Sequence, residues 1–337
     1  MTNIKKIGLS ALAGALAMTS AHAGSLAISG AMEVSYTKGG GKHTTGNPLG
    51  QANDMSLTAS TELDNGVTVA YKRSVTDAFA ADDSELVFGN ILGGTLAFQS
   101  TGSPLDGIDN KTPTAFKDAE GMLGSIGDVG GFNGDFGIRY TLSDVGGSGL
   151  KLDYNYVPRG GSGDATGDED PGGQVLDSNQ DGHDIAITGA IPGVEGLSVG
   201  LGYAVRNVDL KAASTNDSSR EDGTAYATYA FGPLTVGYQV GAQGSSGAAG
   251  ATAYKNTYMG VSYAISDDLS VSYNNTESQK VGNGTANAAS LQEWDSLSAS
   301  YSMGGMTINI ADSDCSNCSY SATKKMSETT ISMTIAF

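Results

Sequence analysis

The feature that most restricts how this 337-residue chain can fold is a strict alternation between short and long connections. Stretches in which apolar and polar residues alternate, bounded by clusters of Gly, Asp, Asn and Ser, predict strands near 25–37, 54–63, 67–76, 83–90, 94–100, 134–143, 149–158, 183–191, 196–208, 222–231, 233–243, 253–265, 268–278, 291–303, 305–312 and 326–337. No helix-period segment of comparable strength accompanies these sixteen candidates. The connections Asp64-Asn65-Gly66, Ile91-Leu92-Gly93, Asp144 to Ser148, Pro192 to Glu195, Gly232, Ser266-Asp267 and Gly304 are short, and several carry the Gly, Asn or Asp that supplies positive φ in tight turns. Those at 38–53, 77–82, 101–133, 159–182, 209–221, 244–252, 279–290 and 313–325 are the long ones. A closed up-and-down barrel, with turns at one rim and loops at the other, predicts this alternation, whereas a soluble sandwich does not require it. The expected fold class is all-β: a transmembrane antiparallel up-and-down β-barrel of about 16 strands.

The facing of side chains points the same way. Leu150, Leu152, Tyr154 and Tyr156 share one face, and Lys151, Asp153 and Asn155 share the other. Similar rows are Leu197, Val199, Leu201, Tyr203 and Val205; Phe136, Ile138, Tyr140 and Leu142; and Met259, Val261, Tyr263 and Ile265. A Lys or Arg at mid-membrane costs about 2–4 kcal/mol, which explains rows free of charge. Tyr36, Tyr71 and Tyr156 fall near one set of strand ends, and Tyr140, Phe231, Tyr263, Tyr301 and Phe337 near the other, as two aromatic girdles would. Only 39% of residues are hydrophobic, but alternation hides the membrane signal of a barrel.

Lys5 and Lys6, the apolar run Ile7 to Ala17 and the triplet Ala21-His22-Ala23 have the three-part build of a secretory signal peptide. The run is shorter than the roughly 20 residues a transmembrane helix needs. The expected organisation is a signal peptide at 1–23 and one barrel domain at 24–337. Removing the two signal lysines from 18 basic residues leaves 16 against 36 acidic, a net charge of −20, which argues against nucleic acid as a partner.

Other motifs carry less. Asp177, Asn179, Asp181 and Gly182 match the core of a calcium loop, with Asp184 two residues on, so Ca²⁺ in an outer loop is one expectation. An EF-hand is excluded, because Thr188 stands where its bidentate glutamate belongs, and a merely acidic solvated loop is the alternative. The same carboxylates could bridge lipopolysaccharide through divalent ions. Cys315 and Cys318 form a C-x-x-C in the last long loop of an exported chain, best read as a small disulfide stapling that loop. His43 and His183 are the only histidines after residue 23, both in or beside loops, and no hydrolase or metalloprotease motif is present, so an enzyme is not expected and no cofactor is required.

At the C-terminus Ile331, Met333, Ile335 and Phe337 alternate with Ser332, Thr334 and Ala336, and the chain stops on an aromatic. This resembles the terminal strand of outer-membrane proteins, in which the last aromatic, here Phe337, is read by the barrel-assembly machinery. Together with the signal peptide, the sixteen strands and the long 101–133 loop, the chain resembles the general bacterial porins, particularly those of alphaproteobacteria. The resemblance implies a homotrimer in the outer membrane of a Gram-negative bacterium, among lipopolysaccharide, passing small hydrophilic solutes. The row Ala27, Ser29 and Ala31, with Gly30 interrupting the larger row, looks flat enough for barrels to pack together.

The resemblance also implies that the third loop folds into the lumen as an eyelet, with Asp106, Asp109, Asp118, Glu120 and Asp128 as its acidic members. Strand parity offers Lys72, Arg139, Lys151 and Arg206 as the basic wall across from it. Opposed charges would set a transverse field across a narrow aqueous constriction. The leading expectation is a general diffusion porin. The alternatives are a substrate-selective porin and a non-conducting barrel serving as adhesin or receptor.

Overall fold

The computed structural model describes residues 26–43, 46–75, 81–117, 129–132, 136–160, 179–209, 218–246, 252–282 and 291–337. The proposed signal peptide lies outside the described residues, as do Asp118, Glu120, Asp128 and Asp177. Sixteen strands follow one another: β1 (Leu26–Gly41), β2 (Leu49–Glu62), β3 (Thr68–Val75), β4 (Ala81–Ile91), β5 (Gly94–Gln99), β6 (Gly137–Leu142), β7 (Lys151–Gly160), β8 (Asn179–Ala190), β9 (Leu197–Asp209), β10 (Ser218–Phe231), β11 (Leu234–Ser246), β12 (Thr252–Ala264), β13 (Leu269–Gly282), β14 (Leu291–Met303), β15 (Met306–Ser316) and β16 (Lys325–Ala336). Each pairs antiparallel with its chain neighbours, and β1 closes the barrel on β16, with Tyr36 opposite Ile331 and Met32 opposite Ile335.

The turn rim is tight. Gly304 and Gly305 join Met303 to Met306, and Leu92 and Gly93 join Ile91 to Gly94 with φ of 51° and 81°. Positive φ is costly for leucine, and Gly93 and Asn90 share the turn with it. At the loop rim the strands run further than hydrophobic alternation indicates: β1 extends to Gly41, β2 begins at Leu49, β8 at Asn179 and β10 at Ser218, and β15 continues to Ser316. Backbone pairing continues there after the apolar alternation has stopped, so periodicity underestimates strand length above an apolar band. The short and long connections keep the order expected from the sequence.

Parity separates the two faces. Leu26, Ile28, Met32, Val34 and Tyr36 point outward, with Leu26 70% exposed. The row Ala27, Ser29 and Ala31 therefore belongs to the lumen, the face on which Thr37 bonds Thr330 at 3.1 Å, and it is not an outer wall for another barrel. Gly30 has a different purpose: the ring of Phe337 lies over it, 3.0 Å from where a Cβ would stand. The two residues also exchange both backbone hydrogen bonds at 2.9 Å. On β7, Asp153 and Asn155 are buried inside while Tyr154 is exposed outside. On β13 to β15 the outward apolar rows give way to Asp295 and Asp312 toward the loop rim; Asp295 accepts from Tyr273 and Asp312 accepts from Thr329 at 2.6 Å.

The interior is mostly hydroxyl and amide. Ser272 bonds Ser298 at 2.8 Å, Ser313 donates to Ser296 at 2.8 Å and Asn309 donates to Ser332 at 3.3 Å. Two apolar clusters interrupt this lining, and both include the third loop. One joins Leu105, Ile108, Val129 and Phe132 to the wall residues Val157, Ala186 and Ala204. The other joins Trp294, Ala311, Cys315 and Cys318, with Phe116 packed against it.

Candidate functional site

The loop after β5 turns inward at Gln99, whose side-chain nitrogen donates to Gly102 O at 2.7 Å. Ser103 Oγ then accepts from Asp106 N at 3.4 Å and Phe132 N at 3.0 Å, tying the outgoing and returning limbs together. A short 3-10 turn, Asp106–Ile108, follows. From there the backbone is hydrogen-bonded to the wall. Leu105 N donates to Asp184 Oδ2 on β8 at 3.0 Å. Gln239 on β11 donates to Ile108 O at 2.9 Å and Asp109 O at 2.6 Å and accepts from Lys111 N at 2.7 Å. On β13, Asn274 donates to Pro113 O at 3.0 Å and Ser272 Oγ accepts from Ala115 N at 2.8 Å.

Glycines on this wall make room for the loop. A Cβ on Gly202 would lie 2.5 Å from Leu105 Cδ1 and 2.6 Å from Ile108 Cδ1, and one on Gly260 would lie 2.8 Å from Pro113 O. A Cβ on Gly241 would lie 2.9 Å from Val129 Cγ2, and side chains on Gly182 or Gly237 would overlap Phe132 or Pro113. The loop carries Leu105 and Phe132 into these hollows fully buried, and each such side chain contributes about 1.5–3 kcal/mol relative to exposure. Described residues 101–117 and 129–132 are thus a fixed shelf across the lumen.

The charges fall differently from the expected opposition of acidic loop and basic wall. Arg206 does not stand across the lumen from the loop. It donates to Gly131 O and lies 4.7 Å over the Phe132 ring, so it fastens the returning limb. Arg139 and Lys151 both pair with Asp153, at 3.2 Å and 2.6 Å, on the side where the loop begins its docking. Of the four basic candidates only Lys72 is on the arc facing the shelf, where it lies opposite Thr58 and Glu85. That arc also carries Glu33, accepting from Thr334 at 3.3 Å, and Glu328, 2.9 Å from His43 Nε2. Asp106 and Asp109 are in and just after the 3-10 turn on the shelf.

Asp184, grouped in the sequence with Asp181 as a calcium ligand, is buried in the lumen and committed to the loop; strand alternation puts Asp181 on the other face of β8. Among the described residues no group of three or more His, Cys, Asp or Glu side chains could hold a metal. Cys315 and Cys318 are disulfide-bonded, with Cα atoms 5.7 Å apart. Gln239, Ser272, Asn274 and the glycine hollows escaped the sequence reading, which put Asp153 on the inward face without a partner. Their signal was an inward parity row of amide, hydroxyl and glycine, which does not say what it holds.

A family model describing Gram-negative porins matches residues 8–312. The chain belongs to the Gram-negative porin family. Solved structures share the porin fold over nearly the whole chain. One is a trimer form of OmpT, an outer-membrane protein of Vibrio cholerae, at a TM-score of 0.68 and 11% identity, covering 94% of this chain and 100% of that one. Another is the anion-selective porin of Comamonas acidovorans, at 0.62 and 16%, covering 93% and 99%. A third is Salmonella typhi OmpF in complex with daunomycin, at 0.62 and 12%, covering 93% and 98%. No curated protein sequence is a significant match to this porin. Family and fold place the porin in the outer membrane, and they point to a channel rather than an enzyme.

Proposed function

We propose that this porin is a general diffusion channel in which small hydrophilic solutes and ions pass through the gap between the third-loop shelf and the arc of β16 and β1 to β4. The observation that carries this reading is the shelf itself, whose backbone is hydrogen-bonded to Asp184, Gln239, Ser272 and Asn274. The hydroxyl and amide lining supports passage of hydrated solutes without discrimination by specific contacts. Asp106, Asp109, Asp118, Glu120 and Asp128 on the loop, with Glu33, Glu85 and Glu328 on the facing side, favour cations. Lys72 is the basic counterweight there, while Asp153 offsets one of the two charges of Arg139 and Lys151.

The working unit in this reading is a homotrimer, as in the trimer form of the Vibrio cholerae protein, among outer-membrane lipid and lipopolysaccharide. Residues 1–23 serve export and Phe337 is read during barrel assembly. Passive diffusion needs no cofactor, and a calcium ion at the loop rim would have to do without Asp184. Purified protein in planar bilayers and in liposome-swelling assays tests the proposal. Step conductances and swelling rates that fall smoothly with solute size are expected. Saturation with one solute class would instead indicate a selective porin, and electrical silence a barrel used as adhesin or receptor.

A further inference from the structure

The connection between β15 and β16 folds over the inner wall. Its lobe is closed on itself by Cys318 N to Lys324 O at 3.0 Å, Ser321 N to Asn317 O at 3.1 Å and Lys324 N to Ser321 O at 3.0 Å. From this lobe Tyr320 reaches past two strands. Its N–H donates to Gln292 Oε1 on β14 at 3.4 Å, its hydroxyl bonds Ser278 on β13 at 2.7 Å, and its ring centroid is 5.5 Å from that of Tyr254 on β12. Asn317 adds a bond to Leu291 O at 2.9 Å.

Two residues of the lobe, Ser319 and Tyr320, are held in a backbone conformation that they do not favour. Asn317, Ser319 and Tyr320 have φ of 54°, 56° and 56°, in the left-handed region. Serine and tyrosine stay there only when their surroundings over-determine them. The Cys315–Cys318 bond supplies such a constraint, tying the lobe to the inward face of β15. Both cysteines are buried with Trp294 and Ala311, and Phe116 of the third loop packs on that cluster. Phe116 directly follows Ala115, whose N–H is bonded to Ser272.

We propose that the disulfide-closed lobe is a clamp for the far end of the third loop's outgoing limb, with Cys315, Cys318 and Trp294 as the apolar seat of Phe116. Cys315, Cys318 and Phe116 are then positioning residues for the constriction, a role that rests on reading the loop as the eyelet. Asp184 and Ser103 fix the start of that limb, and the lobe fixes its far end. A dithiol reductant would release it: the reductant gives up two electrons and two protons, closes to its own cyclic disulfide, and leaves two thiols in the lobe.

The test compares folded wild type, C315S/C318S, F116A and the triple variant by hydrogen–deuterium exchange and in planar bilayers. Amides at 114–117 should exchange about tenfold faster in each variant, equivalent to easing local opening by about 1.4 kcal/mol, with 105–108 unchanged. The triple variant should add nothing beyond either change alone, because both act through one contact. Broader open-state current levels should accompany the change. Unaltered exchange at 114–117 in folded C315S/C318S overturns the clamp. If that variant does not fold, wild type reduced with dithiothreitol after folding, its free thiols verified by alkylation and mass, is read the same way. Faster exchange in a barrel that conducts nothing would keep the clamp and remove the pore.

Discussion

The backbone amide of Lys111 donates to the side-chain oxygen of Gln239 at 2.7 Å, while the nitrogen of the same Gln239 amide holds the carbonyls of Ile108 and Asp109. One side chain on β11 therefore grips the loop on both sides of residue 110. A Gln239→Leu change keeps the size and strands those three backbone groups. Since each orphaned group costs about 1–3 kcal/mol, less where lumen water reaches it, docking should weaken by about 2 kcal/mol. Added flicker in single-channel records with an unchanged barrel melting transition is the expected result. A quiet trace would assign the grip to the remaining bonds.

Gly202→Val should displace the shelf from the opposite direction. Its Cβ would stand 2.5 Å from Leu105 Cδ1, and overpacking of this kind costs about 1–3 kcal/mol. Gly223→Ala is the control, because a Cβ there meets only Gly202 O at 3.7 Å. Conductance should change for the first and not for the second. Equal conductance in both would mean that the loop does not sit in the conducting path.

Ion selectivity should depend on which charges face the gap more than on how many the lumen holds. Lys72→Gln should raise cation preference clearly, whereas Arg139→Gln should move it less, because Arg139 is paired with Asp153 at 3.2 Å. Asp118→Asn with Glu120→Gln should shift the zero-current potential in a KCl gradient toward anions. All three shifts should shrink at high salt, as the screening length falls from about 10 Å at 0.1 M to about 3 Å at 1 M. An Arg139 effect as large as that of Lys72 would contradict this assignment.

Gly30→Val should impair barrel closure. Its Cβ would lie 2.8 Å from Asp54 O and 3.0 Å from the Phe337 ring. The folded fraction, read by heat-modifiable migration on gels, should drop well below that of Met32→Val on the same strand. Comparable yields for the two variants would mean that Phe337 can move aside without cost.

Strand number and rim assignment were legible because alternation and turn chemistry are local and repeat sixteen times. Strand ends at the loop rim were not, since polar residues such as Ser218 and Ser219 continue a backbone ladder that side-chain pattern does not mark. Parity put Lys151 and Asp153 inside but could not show that they pair with each other. It likewise could not tell that Asp184 serves Leu105, a partner 79 residues away in the chain. The small row on β1 was assigned to the wrong face because size alone does not distinguish a packed wall from a lumen.

The ladder between β1 and β16 joins the two ends of the described chain, with Ala31 opposite Ala336 and Gly41 opposite Met326. No partial product of folding along the chain can be edge-free. Until β16 arrives, every intermediate sheet has two unpaired borders, each able to add a strand from another molecule. Along such a route the last strand delivered decides between a sealed cylinder and a sheet open to aggregation.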